Sequence, residues 1–305
     1  MASSILTKSI CDAMRRIAPP VLAGSWDNIG LILESPVKNA SAAANRVLLT
    51  IDITPAVCDE AIASGASMIV SYHPPIFRGL KSLTLGNPLQ GTLLRCAAAG
   101  ISVYSPHSAL DGVFGGINEW LTTCIGGDVE QQIALKWKTE SWSLGGDGRR
   151  VTFDPPISME VLVGRIKKNL SLSQVQVGYS PVKPDRLVSS VAICAGSGGS
   201  VFSEMDKPAD VWFTGELSHH EILAAVAAGT HVILCKLSLF WSRLYIYDFK
   251  LSGNAFAGGH TNTERGYLPT LATKLKAELA AAAESDLGNV DIVISQSDAH
   301  PLEFA

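Results

Sequence analysis

The sequence predicts an α/β fold of two lobes, a sandwich built on mainly parallel or mixed sheets. Its 305 residues suggest two domains at roughly 150 residues per domain, and each domain is long enough to bury its own core. The composition, 47% hydrophobic and 17% charged, is that of a globular chain. From Arg46 onward, short β-branched runs alternate with helical segments, which is typical of βαβ units.

The first lobe is predicted to span residues 1–128. It begins with an amphipathic helix from Ser4 to Ile17, whose apolar residues recur at helical spacing. Glycines close the later helices, as is common after a helix end. The predicted strands are Val47–Ile51, Ser67–Ser71 and Ile101–Tyr104, and the predicted helices are Ala56–Ser64, Leu89–Ala99 and Ile117–Cys124.

A connection is predicted at 129–156, where a glycine cluster at 145–148 and Pro155-Pro156 interrupt a stretch of little periodicity. The second lobe is predicted at 157–305. Its predicted helices are Met159–Leu170, His220–Ala228 and Leu268–Ala283, and its strands are Val188–Cys194, Val211–Thr214, His231–Cys235 and Val290–Ser295.

Charge, hydropathy and cysteine content limit the kinds of partner and the cellular compartment that the sequence predicts. With 24 basic and 28 acidic side chains the net charge is −4, and no basic run suggests nucleic-acid binding. No apolar run has the roughly 18 residues of a membrane helix. Six scattered cysteines indicate reduced thiols in the cytoplasm. A mitochondrial presequence is the alternative interpretation of the first helix, which carries Arg15 and Arg16, although Asp12 argues against it.

Histidines and carboxylates gather at turns after predicted strands, where open α/β sheets bind their ligands. Five of the seven histidines lie in four short segments: 71–75, 107–111, 215–221 and 259–266. The i,i+4 pairs His107/Asp111 and His260/Glu264 would share a helix face. Imidazole and carboxylate together suit Zn, Mn, Fe, Co or Ni.

Each of these residues also has a structural interpretation. His73 suits a strand end bonded to a backbone carbonyl, Asp111 a turn, and Glu264 the first turn of a helix. His219 and His220 fit a general base or a donor to a ligand, and they equally fit a solvated helix N-terminus.

The motifs resemble the NIF-three-like (NGG-one-interacting factor three) dinuclear metal-binding family over nearly the whole chain. The matching segments, in the family's order, are Ser25–Leu31, His73–Pro75, His107–Asp111, Thr214–Glu216 with His219-His220, and His260–Gly266. The resemblance implies a two-lobe α/β fold, a metal cleft between the lobes that holds two divalent ions, and an assembly often found as a ring-shaped hexamer.

The resemblance also implies a ligand set, which is His73, His107, Asp111, His260 and Glu264, with Glu264 as the bridge. Bacterial members usually have two adjacent histidines where this chain has Tyr72-His73, so one ion rather than two is an open alternative. The catalytic residue is not fixed, and the candidates are Glu264 and His219. Candidate cleft or substrate contacts are Tyr72, Asp27, Asn28, Ser197, Gly198 and His220. Ser197 and Gly198 lie in a Gly/Ser loop after a strand, and such a loop is by itself more often a simple turn. For Asp27 and Asn28, a role in a β-turn is equally expected.

Two functions follow from these expectations. The first is a metal-dependent hydrolase-like enzyme acting on a small molecule, in a family often labelled GTP cyclohydrolase type 2, although no guanine-recognition motif is present. The second is a metal-stabilised scaffold that binds a transcriptional co-regulator, as the family name implies. Whether the protein is an enzyme stays open at this point.

Lys236–Gly258 interrupts the order of the motifs, because family members pass directly from the strand to the Gly-His motif. A translated intron would explain it: codons TGT-AAG at Cys235-Lys236 would contain a splice donor, and codons at Ala257-Gly258 an acceptor. The alternative is a genuine loop of unusual length, with a partner bound to Trp241 and Tyr245.

Overall fold

The structure of the chain is a computed structural model that describes residues 4–40, 45–126, 131–137, 144–205, 207–235, 259–282 and 288–300. Lys236–Gly258, for which an intron origin was suggested, lies outside these residues. The helices in chain order are α1 (Ile5–Ile17), α2 (Pro55–Ala63), α3 (Pro88–Ala98), α4 (His107–Gly112), α5 (Ile117–Ile125), α6 (Met159–Asn169), α7 (Gly199–Ser203), α8 (His219–Ala227), α9 (Gly259–Asn262) and α10 (Leu268–Ala281).

The strands confirm the predicted mixture of helix and sheet. In chain order they are β1 (Gly30–Leu33), β2 (Arg46–Thr50), β3 (Met68–Ser71), β4 (Ser102–Ser105), β5 (Gln131–Trp137), β6 (Gly146–Ser158), β7 (Gln176–Gly178), β8 (Leu187–Ser197), β9 (Val211–Glu216), β10 (His231–Leu234) and β11 (Asp291–Ile294). They form two sheets, of five and six strands, and both are mixed.

The chain divides into two compact units, and neither is one continuous segment. Unit 1 comprises Met1–Gly116, Lys138–Gly146 and Tyr267–Asp298, and unit 2 comprises Ile117–Trp137, Asp147–Gly266 and Ala299–Ala305. Helix α5 therefore belongs to unit 2, and α10 with β11 belongs to unit 1. A division of the chain at residues 128 and 156 would place these elements differently.

The sheet of unit 1 has the strand order β1-β4-β3-β2-β11. Strands β4, β3, β2 and β11 run parallel, whereas β1 is antiparallel to β4 and pairs its Gly30 with Ser105. The carboxyl ends of β2, β3 and β4 therefore meet at one edge, and the residues just before β1 join them there. This edge receives Asp27, Asp52, His73 and His107.

The core of unit 1 covers its sheet with helices. Val57 and Cys58 of α2 pack with Cys96 of α3 against Ile69 and Val103 of the sheet. Helix α1 packs on α10. Residues of α1 such as Ile10 and Met14 are fully buried, which confirms its predicted amphipathic character.

The sheet of unit 2 has the strand order β5-β6-β8-β9-β10-β7, with β8, β9 and β10 parallel. Its parallel strands also end together, at Ser197, Glu216 and Leu234. On one side of the sheet the ring of Phe202 stacks on Trp212 at 5.0 Å between centroids. The chemically interesting residues of unit 2 thus also follow strand ends.

Local capping explains several helix starts. Thr54 and Asn87 accept hydrogen bonds from the first turns of α2 and α3, and each helix has proline at its first position. Ser218 and Glu221 form a capping box at the start of α8. These caps account for the close agreement between predicted and observed helix bounds.

Residues 129–156, where a connection was expected, include β5 and most of β6. The alternation along β6 is concealed because Arg149, which looks like a surface residue in the sequence, is fully buried and ion-paired with Glu119. All six cysteines are described, buried and without disulfide bonds. Within the described residues, no helix has the length and apolarity needed to cross a bilayer.

Candidate metal centre

His107 is the first residue of α4 and has an unusual backbone conformation. Its φ is +26°, in the region that non-glycine residues seldom adopt, and such strain is found most often at functional sites. Its Nδ1 lies 2.8 Å from Oδ1 of Asp27, whose side chain is fully buried. The pair places the proton on Nδ1 and directs any metal coordination to Nε2.

Asp27 fixes the start of α4 as well as the imidazole. Its Oδ2 accepts hydrogen bonds from the backbone N–H and the hydroxyl of Ser108, at 3.0 and 2.5 Å. Burial raises the pKa of Asp27, but the hydrogen bonds from His107 and Ser108 together outweigh burial and hold the pKa below its ordinary value of 3.8. Asp27 is therefore a carboxylate that orients His107.

His73 is held in the same manner at the end of β3. Its Nδ1 lies 3.0 Å from Oδ1 of Asp52, which follows β2. The imidazole rings of His73 and His107 lie 5.3 Å apart between centroids. Asp52 was not predicted from the sequence, although its position at the carboxyl end of a buried strand is the same signal that identified His73.

Tyr72, where bacterial relatives are expected to have histidine, is almost completely buried. Its hydroxyl donates a hydrogen bond of 2.5 Å to Oδ1 of Asp111, the last candidate ligand of unit 1. Its ring also packs against the imidazole of His107 at 5.5 Å between centroids. Tyr72 thus orients Asp111 in the structure.

In unit 2, His260 and Glu264 form the expected i,i+4 pair, with Nε2 and Oε1 at 3.2 Å. The Glu264 side chain is 1% exposed, and Nδ1 of His260 lies 3.8 Å from a carboxylate oxygen of Glu216. Thr263 supports the pair, because its hydroxyl accepts from Gly196 N–H at 2.9 Å and donates to the His260 carbonyl at 2.8 Å.

Gly196 is required by this arrangement. Its φ is +63°, and a Cβ there would lie 2.7 Å from Oε1 of Glu264 and 2.9 Å from Nε2 of His260. The β8 backbone therefore approaches the two candidate ligands as only glycine allows. In the Gly/Ser loop, the sequence pointed to the next two residues, Ser197 and Gly198, as candidate contacts instead of Gly196. Ser197 is exposed, and Gly198 is buried against Phe202.

Three other candidate residues, His219, His220 and Asn28, take no part in the pairs described above. His219 and His220 are exposed at the start of α8, with their rings 5.5 Å apart. Asn28 donates a hydrogen bond of 2.5 Å to the carbonyl of Ile76, which ties the turn before β1 to the loop after His73.

The chemistry of the side chains fits a divalent cation. Among the described residues, the set with ligand atoms suited to a metal ion comprises His73 in unit 1 and the pair His260 and Glu264 in unit 2. His107 and Asp111 are not in that set, and their part in a site stays a prediction. Imidazole nitrogen with carboxylate oxygen suits Zn and the neighbouring transition metals, and a buried carboxylate such as Glu264 is rarely found without a partner.

The fold and these side chains define a class: a two-unit α/β protein with mixed sheets whose strand ends carry histidines and carboxylates suited to a metal. The sequence profile of the family described as Duf34/NIF3 (NGG1p interacting factor 3) matches residues 5–236. The chain belongs to this family, as its motifs predicted.

Known relatives support the same assignment over the whole chain. The chain is 39% identical to the Schizosaccharomyces pombe "Protein NIF3 homolog" over 99% of both chains. It is 36% identical to the Saccharomyces cerevisiae "NGG1-interacting factor 3", over 92% of this chain and 90% of that protein. A crystal structure of a hypothetical protein from Staphylococcus aureus shares the fold, with a TM-score of 0.71 at 21% identity over 98% of this chain and 99% of that one.

Proposed function

We propose that the protein binds divalent metal through His73, His107, Asp111, His260 and Glu264 and uses it for hydrolysis of a small molecule. The observation that carries the proposal is the pairing of two candidate histidines with carboxylates. Nδ1 of His73 faces Asp52 and Nδ1 of His107 faces Asp27, the arrangement that orients metal-ligating histidines and raises their basicity.

The number of ions, one or two, belongs to the proposal. His260 and Glu264 supply the unit 2 donors, and the close approach of Gly196 holds this pair in place. In unit 1, the Tyr72 hydroxyl donates a hydrogen bond to a carboxylate oxygen of Asp111. This hydrogen bond favours either weaker binding of a second ion or the binding of a single ion.

When bound, a divalent ion supplies Lewis-acid chemistry, since it polarises a carbonyl or phosphoryl oxygen and acidifies water. The chain's own groups would prepare the site for that chemistry. Asp27 and Asp52 hold the Nδ1 protons of His107 and His73 and fix their rings. Glu264 is buried beside His260 and is the proposed proton-holding group, with the exposed His219 as the alternative.

The test is metal content. Glu264→Ala and His260→Ala are expected to lower the metal-to-protein ratio measured by elemental analysis, because each removes a ligand. Glu204→Ala is the matched control, since Glu204 is an exposed carboxylate of unit 2 that pairs with Lys136. Unchanged metal in both ligand variants would refute the site.

A second candidate function is a metal-stabilised interaction protein, favoured by the name of the Saccharomyces cerevisiae relative, "NGG1-interacting factor 3". Under this proposal the protein assembles with itself, as a hexamer, and binds a transcriptional co-regulator in the cytoplasm, with mitochondrial import as the alternative. Asp111→Asn separates the two functions, because it keeps an acceptor for Tyr72 and removes the charge. Hydrolysis of nucleotides, cyclic amides or phosphoesters that is lost in Asp111→Asn supports the enzyme, whereas co-regulator binding without turnover supports the scaffold.

A further inference from the structure

Two large aromatic side chains are exposed beside the candidate ligands of unit 1. Trp26 is 63% exposed and Phe77 is 49% exposed. Single exposed apolar residues are common, but these two lie together, with ring centroids 5.9 Å apart. The His107 ring lies 6.0 Å from Trp26 and 6.2 Å from Phe77. The pair thus borders the imidazole of a proposed ligand.

The position of Trp26 is fixed by its own turn. A Cβ on Gly24 would lie 2.6 Å from the indole nitrogen, so the ring rests directly on the Gly24 backbone. The turn is closed by the Asp27 N–H, which donates to the Gly24 carbonyl at 3.0 Å, and the Gly24 N–H donates to the Ser108 hydroxyl at 3.0 Å.

Phe77 is fixed to the same turn. Asn28 donates to the carbonyl of Ile76, the residue before Phe77, at 2.5 Å. Because about half or more of each side chain is exposed, both rings keep surface available to a third ring. Polar contacts of the turn thus keep two apolar rings in place while they are exposed to solvent. A binding site that is preorganised in this way avoids the entropic cost of ordering its side chains when a ligand binds.

We propose that Trp26 and Phe77 bind the planar ring of a substrate whose oxygen is directed to the metal ligands, so that the substrate class is an aromatic or heteroaromatic acid or carbonyl compound. This inference rests on the proposed metal-binding function. A ring stacked on the pair would lie next to His107, and exposed Arg78, which follows Phe77, would favour an anionic substituent.

The experiment compares two probes of equal charge, benzoate and cyclohexanecarboxylate, by isothermal titration of the full-length, metal-loaded protein. Stacking of one aromatic ring on another predicts benzoate binding about 2- to 10-fold tighter. Phe77→Leu keeps apolar bulk and removes the ring, so the preference is expected to fall toward equality. Trp26→Phe, which keeps a ring, should retain most of it.

Leu85→Ala is the control for general apolar surface, because Leu85 is 76% exposed in the same loop. This variant should bind both probes as the wild type does. Equal affinity of the wild type for both probes would overturn the inference, as would an unchanged preference in Phe77→Leu.

Metal content of each sample separates the inference from the proposed function. Stoichiometric metal without a ring preference overturns the role of Trp26 and Phe77 and leaves the metal site standing. A ring preference in protein that holds no metal supports the aromatic site and removes the proposed metal function.

Discussion

Gly196→Ala should weaken metal binding although it replaces none of the candidate ligands. The added Cβ would lie 2.7 Å from Oε1 of Glu264 and 2.9 Å from Nε2 of His260, and real Cβ atoms do not approach this closely. Either the β8 backbone or the two donors must move, and backbone strain adds to the effect because φ is +63°.

The two contributions have different magnitudes and can be separated. The left-handed backbone costs an alanine roughly 1–2 kcal/mol. Displacing groups that orient ligands typically costs about 10- to 100-fold in metal affinity. Gly126→Ala is the matched control, since its φ of +58° is nearly the same and its Cβ would meet only flexible side chains at 3.7 Å or more.

The assay is a chelator competition that measures the metal dissociation constant, with chemical denaturation of metal-free protein alongside. Both variants should lose the roughly 1–2 kcal/mol of backbone strain, while Gly196→Ala alone should lose metal affinity. Equal metal affinity in the two variants would refute the argument that the His260–Glu264 pair is a ligand pair held by Gly196.

Three further predictions follow from groups described above or from their neighbours. Asp27→Asn should weaken metal binding about 10- to 100-fold in the same competition assay, whereas Asp59→Asn, an exposed control, should not; equal effects would contradict the orienting role. Glu119→Gln should lower the free energy of unfolding by about 3 kcal/mol, because it takes the Glu119 carboxylate from the buried guanidinium of Arg149. The loss should shrink when Arg149→Met is added. Additive losses in denaturant titrations would contradict this role of the ion pair. Burial, together with nearby cations, lowers the pKa of His231 below 6.5. The unfolded chain therefore takes up a proton first, and the free energy of unfolding should fall as pH drops through about 6.5. His231→Gln should flatten this pH dependence, and an unchanged slope would rule out His231 as its source.

The alternation of strand and helix segments in the sequence predicts most of the fold because many of its strands are short and largely apolar. Strand β3, for example, is buried at every position, and the expected strand at Ser67–Ser71 differs from it by one residue. Strand β6 escaped prediction for the opposite reason. Arg149 occupies an inward position that a solvated arginine would not take, and its ion pair with Glu119, distant in sequence, helps to make that burial tolerable.

The candidate site was partly accessible from sequence for a similar reason. Helical i,i+4 spacing identifies two pairs in the sequence, His107/Asp111 and His260/Glu264. The structure confirms that the second pair is in contact. Asp52 also follows a predicted strand, but only the fold shows its contact with His73. Gly196 could be placed only by the fold, because its importance depends on a backbone approach that spacing along the chain does not reveal.

Strand β11 has a consequence for how the chain is made. It pairs in parallel with β2, and about 240 residues separate the two strands. At roughly 5–20 residues per second, the ribosome would deliver β11 some 12–48 s after β2. During synthesis one edge of β2 therefore waits without its final neighbour, and an unpaired strand edge invites pairing with other chains. Nascent chains of this protein are thus expected to depend on chaperones until β11 has been synthesised.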